Sequence, residues 1–180
     1  MASDRVLGPF LLNNPLRRLI EPKRSVIKRI LPFIKKGAKV LDLGSGPGYY
    51  TEELLKIVGP EGVVVAIDPS ESSINEVKKL KHQNLIAMVG SATSIQFTDE
   101  YFDFVYANLL LCCVADYKSV LKEIIRVLKK GGYAYLSVTR QFFDSEPGID
   151  DEKWKEVLSR FMVIAADSSI IQRWAIVQKI

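Results

Sequence analysis

The sequence is poor in the residues that most often carry covalent or metal chemistry. It has one histidine, His82, and two cysteines, Cys112 and Cys113, which are neighbours. No His/Cys spacing matches a zinc site, so no metal is expected. Adjacent cysteines rarely have the geometry for a disulfide, and no third cysteine offers another partner. A reducing, cytoplasmic setting is therefore the simplest expectation. No apolar run approaches the roughly 20 residues of a membrane-spanning helix; the longest, Leu109 to Ala115, falls far short. The opening residues MASDRVLGPF hold Asp4 and Arg5 and no apolar stretch, so neither a secretory signal nor a membrane partner is expected. Internal repeats and low-complexity tracts are lacking too, which excludes solenoid and linker-rich architectures.

What is present is an ordinary globular composition, 48% hydrophobic over 180 residues. That length suits a single domain, 1–180, with a helical N-terminal segment over 1–37 ahead of a core over 38–180. The net charge of +4 is uneven. Ten basic residues lie in 1–39, among them Arg17 and Arg18, against only Asp4 and Glu21. The remainder of the chain is net acidic. Such a segment can be a solvated helix face, or it can meet an anionic substrate or RNA.

The pattern along the chain is strand, then helix, repeated. Helical spacing covers Glu21 to Ile34, with Pro32 ending or kinking it. Strands are expected at Lys39–Leu43, Val63–Ile67, Leu85–Val89, Phe102–Ala107 and Tyr133–Thr139. Helices are expected at Thr51–Val58, Ser72–Lys81, Lys118–Lys129 and Asp150–Leu158. Gly131-Gly132 would end the third of these. Phe161–Ala165 and Arg173–Lys179 form a closing strand pair. Apolar strands alternating with helices predict an α/β fold, doubly wound and Rossmann-like, with a mostly parallel sheet. Ligands of such sheets bind beyond the carboxyl ends of the strands.

The stretch VLDLGSGPG, residues 40–48, places Asp42, Gly44, Ser45, Gly46 and Gly48 at that edge, where the first strand turns into a helix. A glycine-rich turn alone is weak evidence for a nucleotide. Asp68, 20 residues after Gly48 and followed by Pro69, strengthens it, because a carboxylate at the end of the second strand can accept both hydroxyls of a ribose. The dinucleotide fingerprint GxGxxG fails, since Tyr49 occupies its last position, and no GK[ST] marks a P-loop. Asp42 would repel a pyrophosphate and attract an ammonium. A nucleoside ligand without pyrophosphate fits this set best.

In these stretches the chain resembles the class I S-adenosylmethionine-dependent methyltransferases, and the small-molecule, type 11-like branch in particular. VLDLGSGPG is similar to their first motif, VVVAIDPS to the second, NLIAMVGSATSIQF to the third, and YFDFVYANLLL to the fourth. VLKEIIRVLKKGGYAYLSV resembles the helix and fifth strand that follow. The resemblance implies a seven-stranded sheet with helices on both faces and the last strand antiparallel, and S-adenosylmethionine as cofactor, leaving as S-adenosylhomocysteine. It implies that Gly44, Ser45, Gly46 and Gly48 lie along the methionine part, that Asp42 steers its amino group, and that Asp68 with Pro69 holds the ribose. Ser91 and Ala92 would border the adenine, although the family carries an acid at the position of Ser91. Asn108 and Leu109 would line the methionine side near the methyl group.

The expected activity is methyl transfer by in-line displacement, in which alignment does most of the work. No catalytic base is identified. His82 precedes the third strand, on the wrong edge, while Tyr49, Tyr50, Asn108, Asp116, Arg140 and Asp144 lie near carboxyl ends of strands without forming a dyad. The cysteine pair is either two small core residues or a soft-metalloid site, as some methyltransferases act on arsenite. Asn108 is followed by Leu109 rather than Pro-Pro-Tyr, which argues against exocyclic-amine and glutamine acceptors. A small-molecule acceptor is expected. The alternatives are an RNA or protein methyltransferase docking through the basic segment, a non-catalytic cofactor-binding subunit and, more distantly, a nicotinamide oxidoreductase.

Overall fold

The structure, a computed structural model, describes residues 22–140, 149–170 and 172–180. The expectations for Arg17, Arg18 and Asp144 therefore fall outside the described residues, as does most of the N-terminal segment. The chain divides into two compact units, one up to Ala92 and one from Thr93.

In the first unit, α1 (Lys23–Ile30) buries Val26 and Ile30 and gives way to a 3-10 turn, Leu31–Phe33, at Pro32. Proline lacks the N–H that would continue the helix, so the break falls where the sequence places it. Strand β1 (Lys39–Leu43) leads to α2 (Thr51–Val58), β2 (Val63–Asp68), α3 (Glu71–Lys78) and β3 (Leu85–Val89). The three strands are parallel, with β2 between β1 and β3. β1 and β2 are buried almost throughout, as continuous apolar runs demand. β3 is half-exposed, with Ile86 and Val89 open to solvent, because it pairs on one side only. Helix α3 starts one residue earlier than expected because Ser70 caps it, its Oγ accepting from the Ser73 amide.

The second unit contains β4 (Phe102–Asn108), α4 (Tyr117–Val127), β5 (Leu128–Thr139), α5 (Asp151–Leu158), β6 (Met162–Ser168) and β7 (Gln172–Gln178). β5 runs parallel to β4, while β7 is antiparallel to both β5 and β6. Seven strands, mostly parallel with the last one antiparallel, is the architecture expected.

The largest departure from the expected boundaries lies between α4 and β5. α4 stops at Val127, and β5 begins at Leu128, so Gly131-Gly132 lies inside a 12-residue strand and does not end the helix. A Cβ on Gly132 would stand 2.9 Å from the Lys129 carbonyl and 3.0 Å from that of Asp103. The strand needs glycine there to pass so close to β4, and the register between β4 and β5 shifts at this point.

The core of this unit includes Tyr106 and Tyr135, flanked by the half-buried Trp174. The two tyrosine rings stack with centroids 5.2 Å apart, and Tyr135 stacks in turn on Trp174 at 6.3 Å. No helix among the described residues is long and apolar enough to cross a membrane.

Candidate functional site

The turn from β1 into α2 is held by β2. The amides of Gly44 and Ser45 both donate to the Ile67 carbonyl, at 2.8 and 3.1 Å. The Gly46 amide donates to Asp68 Oδ2 at 2.8 Å. The other oxygen of Asp68 accepts from the Ser70 amide at 2.9 Å. Gly44, Gly46 and Gly48 have φ of 74°, 53° and 88°, in the left-handed region that a side chain avoids. Gly48 is further confined, because a Cβ there would meet Val77 Cγ2 at 3.1 Å. The glycines thus serve the turn itself, and the turn brings backbone N–H groups onto a carboxylate.

That carboxylate is 8% exposed and fixed through both oxygens. A carboxylate has about four lone-pair sites, and two are used here, so two remain for the hydroxyls of a diol. The remaining acceptor positions therefore fit the two hydroxyls of a ribose. Pro69, beside it, is exposed, and Ser91 and Ala92, just past β3, are half-buried.

Asp42 is 3% exposed and accepts a hydrogen bond from Thr51 Oγ1 at 2.6 Å. Thr51 is itself fully buried and opens α2. Asp42 thus ties β1 to the first residue of the helix. The N-cap residue of that helix is Tyr50, which makes no capping side-chain hydrogen bond. Tyr49 and Tyr50 meet edge to face at 5.0 Å, and the Lys23 ammonium lies 4.5 Å from the Tyr49 ring centre.

In the second unit Asn108 is 8% exposed at the carboxyl end of β4, and its Oδ1 accepts from Ser137 Oγ on β5. Its Nδ2 is buried without a partner among the described residues. Leu109 has φ 55°, and its amide donates to the carbonyl and the hydroxyl of Ser137 at 3.0 and 2.9 Å. The turn that follows carries Cys112 and Cys113. The Cys112 thiol is pulled down to about 6, first by a hydrogen bond from the Cys113 thiol and then by Thr139, against the opposing effect of burial.

The remaining polar candidates separate by role. His82 is exposed ahead of β3, as expected of a residue outside the site. Asp116 caps α4, accepting from the amide and hydroxyl of Ser119 at 3.0 and 2.6 Å, and those bonds hold its carboxyl below the usual range. Arg140 borders an open cavity of about 350 Å³ with Trp154, Lys155 and Arg173. Arg173, 5% exposed, bonds the Asp150 carbonyl at 3.1 Å and pairs with Asp151.

Sequence reasoning missed Ser70, Thr51 and Ser137, which hold Asp68, Asp42 and Asn108. Ser70 carried a readable signal, a serine three residues ahead of the amide that it caps. Thr51 and Ser137 carried none, since each acts on a residue of another element.

Comparison with known proteins identifies the family and the fold. A methyltransferase-domain family model matches residues 41–136, and the chain belongs to that family of S-adenosylmethionine-dependent methyltransferases. The demethylmenaquinone methyltransferase of Staphylococcus carnosus is 39% identical over 110 residues, which cover 60% of this chain and 46% of the relative. That of Geobacillus stearothermophilus is 36% identical over 129 residues, 69% of this chain and 54% of the relative. The chain spans about half the length of these curated relatives. In fold it is similar to a SAM-dependent methyltransferase from Aquifex aeolicus, with TM-score 0.79 and 23% identity over 96% of this chain and 97% of that one. The doubly wound, Rossmann-like class is thereby established, and family and fold imply S-adenosylmethionine as cofactor.

Proposed function

We propose that this chain transfers a methyl group from S-adenosylmethionine to a small-molecule acceptor by in-line displacement. The observation that carries the reading is the Asp68 carboxylate, ordered by the Gly46 and Ser70 amides with lone pairs left for a ribose. When bound, the cofactor supplies an already activated methyl group, so this chain's residues bind, align and exclude water. In this reading Gly44, Ser45, Gly46 and Gly48 let the backbone run along the methionine part, Asp42 attracts its ammonium, and Asp68 with Pro69 holds the ribose. Ser91 and Ala92 border the adenine. Asn108 and Leu109 keep the place near the methyl group that the family resemblance gives them. The acceptor class is supported by the relatives, which are named as methyltransferases of demethylmenaquinone.

Two measurements test this. Calorimetry with S-adenosylhomocysteine and with NAD should give binding of the first alone. Methyl-labelled cofactor offered to metabolite and RNA fractions should then label a metabolite. Label in RNA would overturn the acceptor class, and NAD binding without S-adenosylhomocysteine binding would overturn the cofactor.

A further inference from the structure

The turn after β4 is anchored more firmly than a surface loop. The Leu109 amide is fixed on Ser137 of β5, the Cys113 amide donates to the Leu110 carbonyl at 2.8 Å, and the Cys112 thiol lies 3.5 Å from the Leu109 carbonyl. These bonds turn the two cysteine side chains toward one another. Their sulfurs stand 3.8 Å apart, with Cys112 buried and Cys113 half-buried.

That separation selects among the chemistries open to two thiols. A disulfide requires about 2.05 Å, which neighbouring residues reach only with strain. An atom inserted between the sulfurs has no such difficulty. Two bonds of about 2.3 Å, a typical length for thiolate on a soft acceptor, span about 3.3–3.5 Å at the roughly 90–100° angle of a pyramidal trivalent centre, so the two sulfurs need to close by only a few tenths of an ångström. A zinc ion needs four ligands, and no group of three or more His, Cys, Asp or Glu side chains among the described residues is placed to hold a metal ion. The site instead suits an acceptor that asks the protein for two sulfurs and brings its own remaining substituent.

We propose that Cys112 and Cys113 form a two-sulfur clamp for a trivalent organic arsenical, closing a ring through both thiols. Two arsenic–sulfur bonds form, the arsenic–oxygen bond of the reagent breaks, and both thiol protons leave in one water molecule. No oxidation state changes, so no further reactant is needed. The half-buried Cys113 is the point of entry, and Cys112 completes the ring. The clamp needs only the second unit's own turn, so it stands apart from the methyl-transfer reading.

Phenylarsine oxide added to the full chain tests the proposal, followed by intact mass and by titration of free thiols. One arsenical per chain should remove both thiols. The adduct should survive excess 2-mercaptoethanol and be released by the dithiol 2,3-dimercaptopropanol. Cys112→Ser and Cys113→Ser should each give an adduct that the monothiol strips. Removal by the monothiol from the unaltered chain would overturn the proposal. So would two arsenicals per chain, or one bridging two chains. The competition on the unaltered chain decides the matter even if a serine variant fails to fold.

Discussion

Asp68 and Gly46 lie on different elements and meet through a 2.8 Å hydrogen bond, the glycine amide donating to the carboxylate. The residue proposed to hold the ribose thus also fixes the loop proposed to lie along the rest of the cofactor. Asp68→Asn tests this double use, because it keeps the shape and replaces one acceptor oxygen with an NH2 group. A hydrogen bond to a charged group is worth about 1.5–3 kcal/mol, so affinity for S-adenosylhomocysteine should fall roughly 10- to 100-fold. Calorimetry checks it. Unchanged affinity would remove Asp68 from the site.

Gly48 and Gly37 separate the cost of a left-handed backbone from that of crowding. Both have positive φ, 88° and 78°, but an added Cβ meets Val77 Cγ2 at 3.1 Å only at Gly48 and finds nothing within 4 Å at Gly37. Gly37→Ala should cost about 1–2 kcal/mol for conformation alone. Gly48→Ala should cost more, measured as a lower urea midpoint. Equal losses would show that α3 yields at no cost.

Thr51→Val preserves volume and removes the hydroxyl that donates to Asp42 at 2.6 Å. Both residues are buried, so the fold should lose about 1.5–3 kcal/mol. Urea unfolding measures this. A neutral result would mean that Asp42 does not depend on the threonine.

The Cys112 thiol should react with a small alkylating reagent along a pH profile with its midpoint at about 6, against an ordinary 9.0. The lowered value means that the folded state favours the thiolate. Its contribution to stability is full above the ordinary thiol pKa and is lost as pH falls through about 6. Thr139→Val removes one of the donors and should move the midpoint upward. Peptide mapping of the alkylated chain checks both. A midpoint near 9 would show that the hydrogen bonds do not hold the thiolate.

Most strands were legible because they are short apolar runs bounded by turn residues, and β1 and β3 fall at the expected residues. The ends of α3 and β5 were not. Ser70 starts α3 early, and Gly132 reads as a helix stop when its neighbours are unknown, yet it sits in a strand so close to β4 that an added Cβ would stand 3.0 Å from the Asp103 carbonyl. In the site, the glycines and Asp68 were legible as a spacing. Their mutual hydrogen bond was not, since 22 residues separate Gly46 from Asp68.

The sequence by itself determined the alternation of elements, the glycine turn, the acid at the end of β2 and the exclusion of dinucleotide and P-loop patterns. These depend on local periodicity, backbone freedom and residue type, which a chain carries without its partners. Only the tertiary structure decided which groups hold Asp68, Asp42 and Asn108, that Asp116 is a cap, and that the two cysteine sulfurs face each other at 3.8 Å. Those outcomes depend on hydrogen bonds and packing among groups brought together by the fold, such as Ser137 of β5 fixing the turn after β4.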